Sequence, residues 1–457
     1  MKTLDLIKAA VDRSPDSAAY VSNGVSITYR ELWFSACRFA SLIGGGSAPA
    51  IVYGAKEAYM PEAMLGCLIA GRAYVPADRG IPAARFKKMI SISGADTVIG
   101  NRIPVIDGIR RIDPPAADGR SDFTPLPAKE SDLAYIIFTS GTTGDPKGVR
   151  VTRANLDNFV CWITSLDPLC SFSGARVLNI ASFSFDLSVA DLYYSLCKGH
   201  TLYASHKADD ALDLLRAREI NVAVSTPTTV KYFLLDPDFN AERLPSLRCL
   251  YFCGERLDPR TVRKIFSRFP EISVINAYGP TEATSAVCAT SVTPEMCDLA
   301  ALPAGDVENA ACCIRIENGE IVIEGKSVFA GYAGQDESGG IHRTGDRGEI
   351  RDGRLFCLGR LDRQIKYKGF RIELDDIEAN AASLDGVRSC AAVCKRGPDG
   401  SVKHLRLFTE GDARSEDIRL GLSALLPAYM IPSEITVIPS LPCTGNGKID
   451  RKALELL

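Results

Sequence analysis

Little in this chain is extreme, and each shortage closes off a class of function. Its 53 Lys and Arg nearly balance 56 Asp and Glu, for a formal net charge of −3. No electrostatic excess therefore points to nucleic acid as a partner. No apolar run reaches membrane-spanning length, so membrane insertion is not expected. The opening stretch "MKTLDLIKAAVDRSPDS" is charged and amphipathic, unlike a signal peptide, and a cytoplasmic protein is the expectation. The fifteen cysteines are odd in number and scattered, with no CxxC pair. A zinc site or disulfide framework is thus not expected, and they read as small buried apolar residues in a reducing compartment. No internal repeat or low-complexity segment occurs.

What is present is ordinary in bulk and specific in detail. Hydrophobic residues make up 46% and charged residues 24% of 457 residues, the profile of a soluble globular chain of two or three domains. Through the first three quarters, apolar β-branched runs alternate with amphipathic stretches. "AYIIFTS" (134–140), "RVLNIAS" (176–182), "NVAVSTP" (221–227), "LRCLYFCG" (247–254) and "SVINAYG" (273–279) read as buried strands, and "ALDLLRAREI" and "PRTVRKIFSRF" as helices. That alternation predicts α/β layers with largely parallel sheets, whose ligands sit at the carboxyl ends of strands. Ser140, Ser182, Cys253 and Tyr278 all close such runs. From about residue 305 the texture turns to alternating strands joined by Asn-Gly and Asp-Gly turns, a hairpin signature. After Glu373 a helix, two strands and a helix predict a small α+β unit. The expected architecture is a large N-terminal α/β domain, 1–361, with a β-rich distal part, hinged to a small C-terminal α+β domain, 362–457.

One loop is chemically loaded. "FTSGTTGDPKGV" places Thr139, Ser140, Gly141, Thr142, Thr143 and Gly144 ahead of Lys147. Glycines let backbone N–H groups converge on one point, and hydroxyls add donors, which suits phosphate. P-loop spacing fails, because Asp145 and Pro146 follow Gly144. Taken alone, the stretch reads equally as an exposed turn.

Further motifs follow in order: "ITYREL", "LIAGRAYVPAD", "SFSFDLSVADLYYSL", "NAYGPTEAT", "HRTGDRG", "GRLDRQIKYKGFRIELDDIE" and "GNGKIDRK". With the loop they resemble the adenylate-forming superfamily over residues 27–452. The likeness is to the amino-acid adenylation domains of nonribosomal peptide synthesis and, among these, to D-alanine–carrier protein ligases. The resemblance implies an enzyme that uses Mg²⁺ and ATP to form an aminoacyl-AMP and then a thioester. In that scheme residues 139–144 and Lys147 hold the leaving phosphates. Asn276, Ala277, Tyr278, Gly279 and Thr281 border the nucleotide, with Tyr278 on adenine. Asp346 and Arg360 serve the ribose and phosphate, and Glu282 ligates Mg²⁺.

The same resemblance makes Lys448 the catalytic bridge between substrate carboxylate and α-phosphate, although a lysine so near a C-terminus is more commonly a solvated charge. Asp186 pairs with the substrate ammonium; its structural alternative is a helix N-cap. The pocket is implied to include Leu187, Ala190, Phe252, Cys253, Ala277, Ser285 and Ala286. Cys253 would disfavour one enantiomer, or is simply a core thiol. Ala190 is smaller than the ligases usually carry. Asp362 is the implied hinge, about which the hairpin at Lys368–Gly369 swings toward the thiol of a carrier protein. The chain shows no carrier motif of its own after Lys448, so a separate carrier is expected. The rivals are a peptide-synthesis adenylation enzyme for a larger amino acid, a non-catalytic nucleotide-binding descendant, and an acyl-CoA synthetase, which has no use for Asp186.

Overall fold

The computed structural model describes residues 2–115, 123–141, 143–397, 401–444 and 449–457. Thr142 and Lys448 lie outside them. The chain forms two compact units. The first comprises Met1–Arg79, Ser93–Ile137 and Gly148–Leu361, the second Gly80–Ile92, Phe138–Lys147 and Asp362–Leu457.

Among the described residues, an eight-stranded sheet runs Cys288–Val292, Ser273–Tyr278, Cys249–Phe252, Val222–Ser225, Arg176–Asn179, Thr201–Ala204, Ala18–Ser22, Val25–Thr28. Its inner pairs are parallel and its two outermost pairs antiparallel. A seven-stranded sheet contains Ala50–Gly54, Tyr74–Asp78 and Leu133–Thr139. Continuous apolar runs such as Ala50–Gly54, buried at every position, suit strands covered on both faces. The helix Tyr29–Ile43 begins where it does because Thr28 and Glu31 form a reciprocal capping box.

The β-rich part of this unit is a five-stranded antiparallel sheet. Its hairpins turn at Asn318–Gly319 (φ 51° and 81°) and Asp352–Gly353 (φ 48° and 72°). Two successive left-handed residues are what a two-residue hairpin on right-twisted strands demands, and Asn-Gly and Asp-Gly supply them. In the second unit, Gln364–Tyr367 and Phe370–Glu373 form the hairpin around Lys368 (φ 53°) and Gly369 (φ 84°). The helix Leu374–Ala382 follows, then Val387–Arg396 and Val402–Gly411 in a three-stranded sheet, then the helix Ser415–Leu425.

Candidate active site

Asp186 immediately precedes the helix Leu187–Lys198 but is already helical itself, at φ −64° and ψ −22°, and its side chain makes no capping hydrogen bond. An N-cap role therefore does not describe this carboxylate. After burial itself, the charge of Asp186 is what raises the Tyr135 phenol most, and it also raises that of Tyr251. Both rings are wholly buried, and neither hydroxyl has a hydrogen-bond partner. Ser285 Oγ is likewise buried without a partner.

Leu187, Ala190, Cys253, Ala277 and Ala286 share one core cluster with Tyr251 and Tyr278. Cys253 Sγ lies 3.8 Å from the carbonyl oxygen of Ser285, at the far edge of a weak thiol hydrogen bond. Phe252 is a correction. Side chains alternate along a strand, and Phe252 packs into the other core cluster, with Val262, Ile265 and Phe233. Asn276 follows the same parity: its Nδ2 donates to the Pro303 carbonyl at 2.7 Å, so its side chain is committed to the fold.

Gly279 cannot carry a side chain, because a Cβ there would lie 2.5 Å from Ala286 Cα. The chain crosses it with Thr284 at φ 59° and Ser285 at φ 71°. Left-handed geometry at a β-branched residue is strained, by about 1–3 kcal/mol, and such strain gathers at functional sites. Thr284 is held there by donating to the Ser327 carbonyl at 2.8 Å.

The nucleotide candidates form a closed set. Tyr278 donates its hydroxyl to Asp346 Oδ2 at 2.7 Å, and Arg360 Nη1 donates to Asp346 Oδ1 at 3.0 Å. Arg360 also donates to the Thr344 carbonyl at 2.8 Å, so it is no solvated surface charge. Asp346 and Arg360 face each other across the Ile341–Arg351 and Arg354–Arg360 strands, which fixes the pair through backbone register. A carboxylate offers about four acceptor sites, so Asp346 retains capacity for ribose hydroxyls. Burial, then the Asp346 charge, pushes the Tyr278 phenol well up.

Glu282 sits in the short 3₁₀ turn Thr281–Ala283 and is wholly buried. Its Oε1 accepts from Tyr332 at 2.7 Å, and its carbonyl accepts from the Phe329 N–H at 2.9 Å. Among the described residues, no group of three or more His, Cys, Asp or Glu is placed to hold a metal. A single carboxylate fits Mg²⁺, which takes one or two protein carboxylates and fills its shell with phosphate oxygens and water.

Within the second unit, Ser140 Oγ donates to the Arg371 carbonyl at 3.1 Å and accepts from the Glu373 N–H at 3.0 Å. Its hydroxyl is thus occupied, where the sequence offered it to phosphate. Thr139 Oγ1 is shielded and has no partner. Gly141 is obligatory, since a Cβ would lie 2.1 Å from the Asp145 carbonyl oxygen. Asp145 itself pairs with Lys88 at 2.6 Å, which offsets its charge beside the loop. Thr143 is exposed, Gly144 takes φ 84°, and Lys147 opens the strand Lys147–Thr152. Asp362 Oδ1 accepts from the Gln364 N–H at 3.1 Å.

Residues 7–333 match the AMP-binding enzyme family. The chain belongs to that family. It is 38% identical to the D-alanine–D-alanyl carrier protein ligase of Bacillus velezensis, over 99% of each chain. It is 37% identical to the ligase of the same name from Listeria monocytogenes, over 99% of this chain and 98% of that one. Among solved structures, the Vibrio cholerae adenylation domain AlmE, in complex with glycyl-adenosine-5'-phosphate, superposes with a TM-score of 0.84 at 22% identity, covering 99% and 97% of the two chains. A nonribosomal peptide synthetase protein containing adenylation and PCP domains gives 0.83 at 25% identity, covering 99% and 84%. The family's two-domain fold is thus the fold of this chain.

Sequence reasoning missed Tyr135, Tyr251 and Tyr332. The two strand tyrosines left one signal, a phenol inside an otherwise apolar buried run. Tyr332 left none, since only the pairing of Gly331–Tyr332 with Val149 and Arg150 brings it back along the sheet.

Proposed function

We propose that this chain is an AMP-forming amino acid–carrier protein ligase whose amino acid is D-alanine. A carboxylate oxygen of the amino acid attacks the α-phosphorus of ATP, the α–β phosphoanhydride bond breaks, and pyrophosphate leaves. The phosphopantetheine thiol of a separate carrier protein then attacks the acyl carbon, and AMP departs.

The observation that carries the reading is Asp186: a half-buried carboxylate at the head of a helix, whose charge acts on two buried phenols that lack hydrogen-bond partners. A carboxylate so placed suits a ligand ammonium, one of the strongest partners a buried carboxylate can take. The naming of relatives at 36–38% identity over nearly their full length supports D-alanine.

Asp346 and Arg360, steadied by Tyr278, take the ribose and phosphate end of the nucleotide. Residues 139–144, apart from the occupied Ser140 hydroxyl, and Lys147 take the leaving phosphates, and Lys448 bridges the two reacting anions. Glu282 holds Mg²⁺, which neutralises charge on the phosphates when bound. Residues 362–457 act as a lid turning at Asp362, and the site of action is the cytoplasm. The test is amino-acid-dependent pyrophosphate release with Mg·ATP across D- and L-amino acids, with Lys448→Ala as control. A D-alanine preference lost in the control supports the reading. Preference for a larger amino acid moves the enzyme to peptide biosynthesis and makes Ala190 the reason. Silence toward all amino acids, with ATP still bound, refutes it.

A further inference from the structure

Lys56 lies just past the strand Ala50–Gly54 and is only 4% exposed. Its ammonium donates to the carbonyl oxygens of Asn179 (3.3 Å), Ile180 (2.7 Å) and Ser205 (2.6 Å). Those oxygens sit at the ends of Arg176–Asn179 and Thr201–Ala204 in the other large sheet. One side chain thus reaches from one sheet to grip two strand ends of its neighbour. Ile180 also begins the run that leads to Asp186.

The same run is tied twice more. Ser182 donates its hydroxyl to the carboxylate of Asp78, at the end of Tyr74–Asp78. Asn179 Nδ2 donates to the Ala181 carbonyl at 3.0 Å and to Asp191 Oδ2 at 2.8 Å. Asp191 is wholly buried on the helix that Asp186 precedes. Burial pushes the Lys56 ammonium down and the Asp191 carboxyl up, the direction expected of charges taken out of water. Asp78 and Asp191 supply the negative field at Lys56, and the Lys56 and Glu57 charges in turn act on His206. Apolar residues of like volume often stabilise a fold as well as a buried charge does, so stability alone does not explain this lysine.

We propose that Lys56 is a positioning residue for amino-acid binding, holding residues 181–186 so that the Asp186 carboxylate meets the substrate ammonium. The proposal rests on the reading of Asp186 given above. Its test is D-alanine-dependent pyrophosphate release by wild type, Lys56→Met, Lys56→Arg, Ser182→Ala and Asp186→Asn, alongside thermal unfolding. Lys56→Met is expected to raise KM for D-alanine about tenfold, with KM for ATP changed less than about twofold. Lys56→Arg, which keeps the donors, is expected to recover part of the loss. Should Lys56→Met fail to fold, Ser182→Ala removes only the middle tie and is expected to raise the same KM by a smaller factor. Parallel rises for both substrates, or an unmoved D-alanine KM in folded variants, overturn the proposal. If Asp186→Asn raises that KM and the Lys56 and Ser182 variants do not, Lys56 alone loses its role. If Asp186→Asn leaves it unchanged, the reading of Asp186 falls and takes the proposal with it.

Discussion

Around Asp346, both carboxylate oxygens already have partners in Tyr278 and Arg360, and the Asp346 N–H donates to Thr344 Oγ1 at 3.0 Å. Near Asp186, the buried hydroxyls of Tyr135 and Tyr251 have none. A buried polar group without a partner costs about 1–3 kcal/mol, so native proteins keep few of them. Two beside a half-buried carboxylate are what the proposed reading expects of a place completed by a ligand. The nucleotide side is instead held rigid by its own contacts and has acceptor capacity to spare. On the proposed reading, one half of the site is preorganised and the other is finished by its substrate.

Each substitution below separates those halves, beginning with the largest effect. Asp186→Asn should lower kcat/KM for D-alanine about a hundredfold, the scale of a charge-assisted hydrogen bond, and leave ATP binding as it was. A matching loss in ATP affinity, read by titration, would erase the distinction between the halves. Asp346→Asn should do the reverse, raising KM for ATP about tenfold with the amino-acid KM steady. Cys253→Ala should act only on the amino-acid side, lowering the preference for D- over L-alanine by about threefold to tenfold, as one small contact does in a pocket. Competition between the two enantiomers measures this, and an unchanged ratio would return Cys253 to the core.

The smallest effect on activity belongs to His200, a buried polar residue with a purely structural place. Its Nδ1 accepts from the Ala175 N–H at 3.1 Å, its Nε2 has no partner, and burial pulls its pKa down to about 4. The unfolded chain takes up that proton near pH 6.5, the native state only near pH 4. Stability from this residue is therefore complete above about pH 6.5 and is lost as pH falls toward 4. His200→Gln should flatten that part of the unfolding profile without altering either substrate KM.

Much of this was legible in one dimension. The hairpins at Asn318–Gly319 and Asp352–Gly353 announced themselves because only a few residue types tolerate two successive left-handed positions. The strand ends carrying Cys253 and Tyr278 showed in apolar runs, and the Asp346–Arg360 pairing follows from the register of a single hairpin. Phe252 was misplaced because motif alignment ignores strand parity, which sends alternate side chains to opposite faces. The Lys56 clamp was invisible for a different reason: its three acceptors lie 123 to 149 residues away, in another sheet. A lysine, an asparagine and an aspartate so far apart carry no joint pattern until two sheets pack. Ser140 is a similar case, since nothing in its glycine-rich loop foretold that the backbone at 371 and 373 would use its hydroxyl.

The most direct test of the central claim sets D-alanine against propionate, the same acid without its ammonium, in pyrophosphate release by wild type and Asp186→Asn. A site built around a buried polar contact rejects the analogue lacking it by about 10⁴-fold. Wild type should show a preference of that order, and Asp186→Asn should cut it to about a hundredfold by losing D-alanine rather than gaining propionate. Comparable turnover of the two acids by wild type would contradict the account, because Asp186 would then not be reading the ammonium.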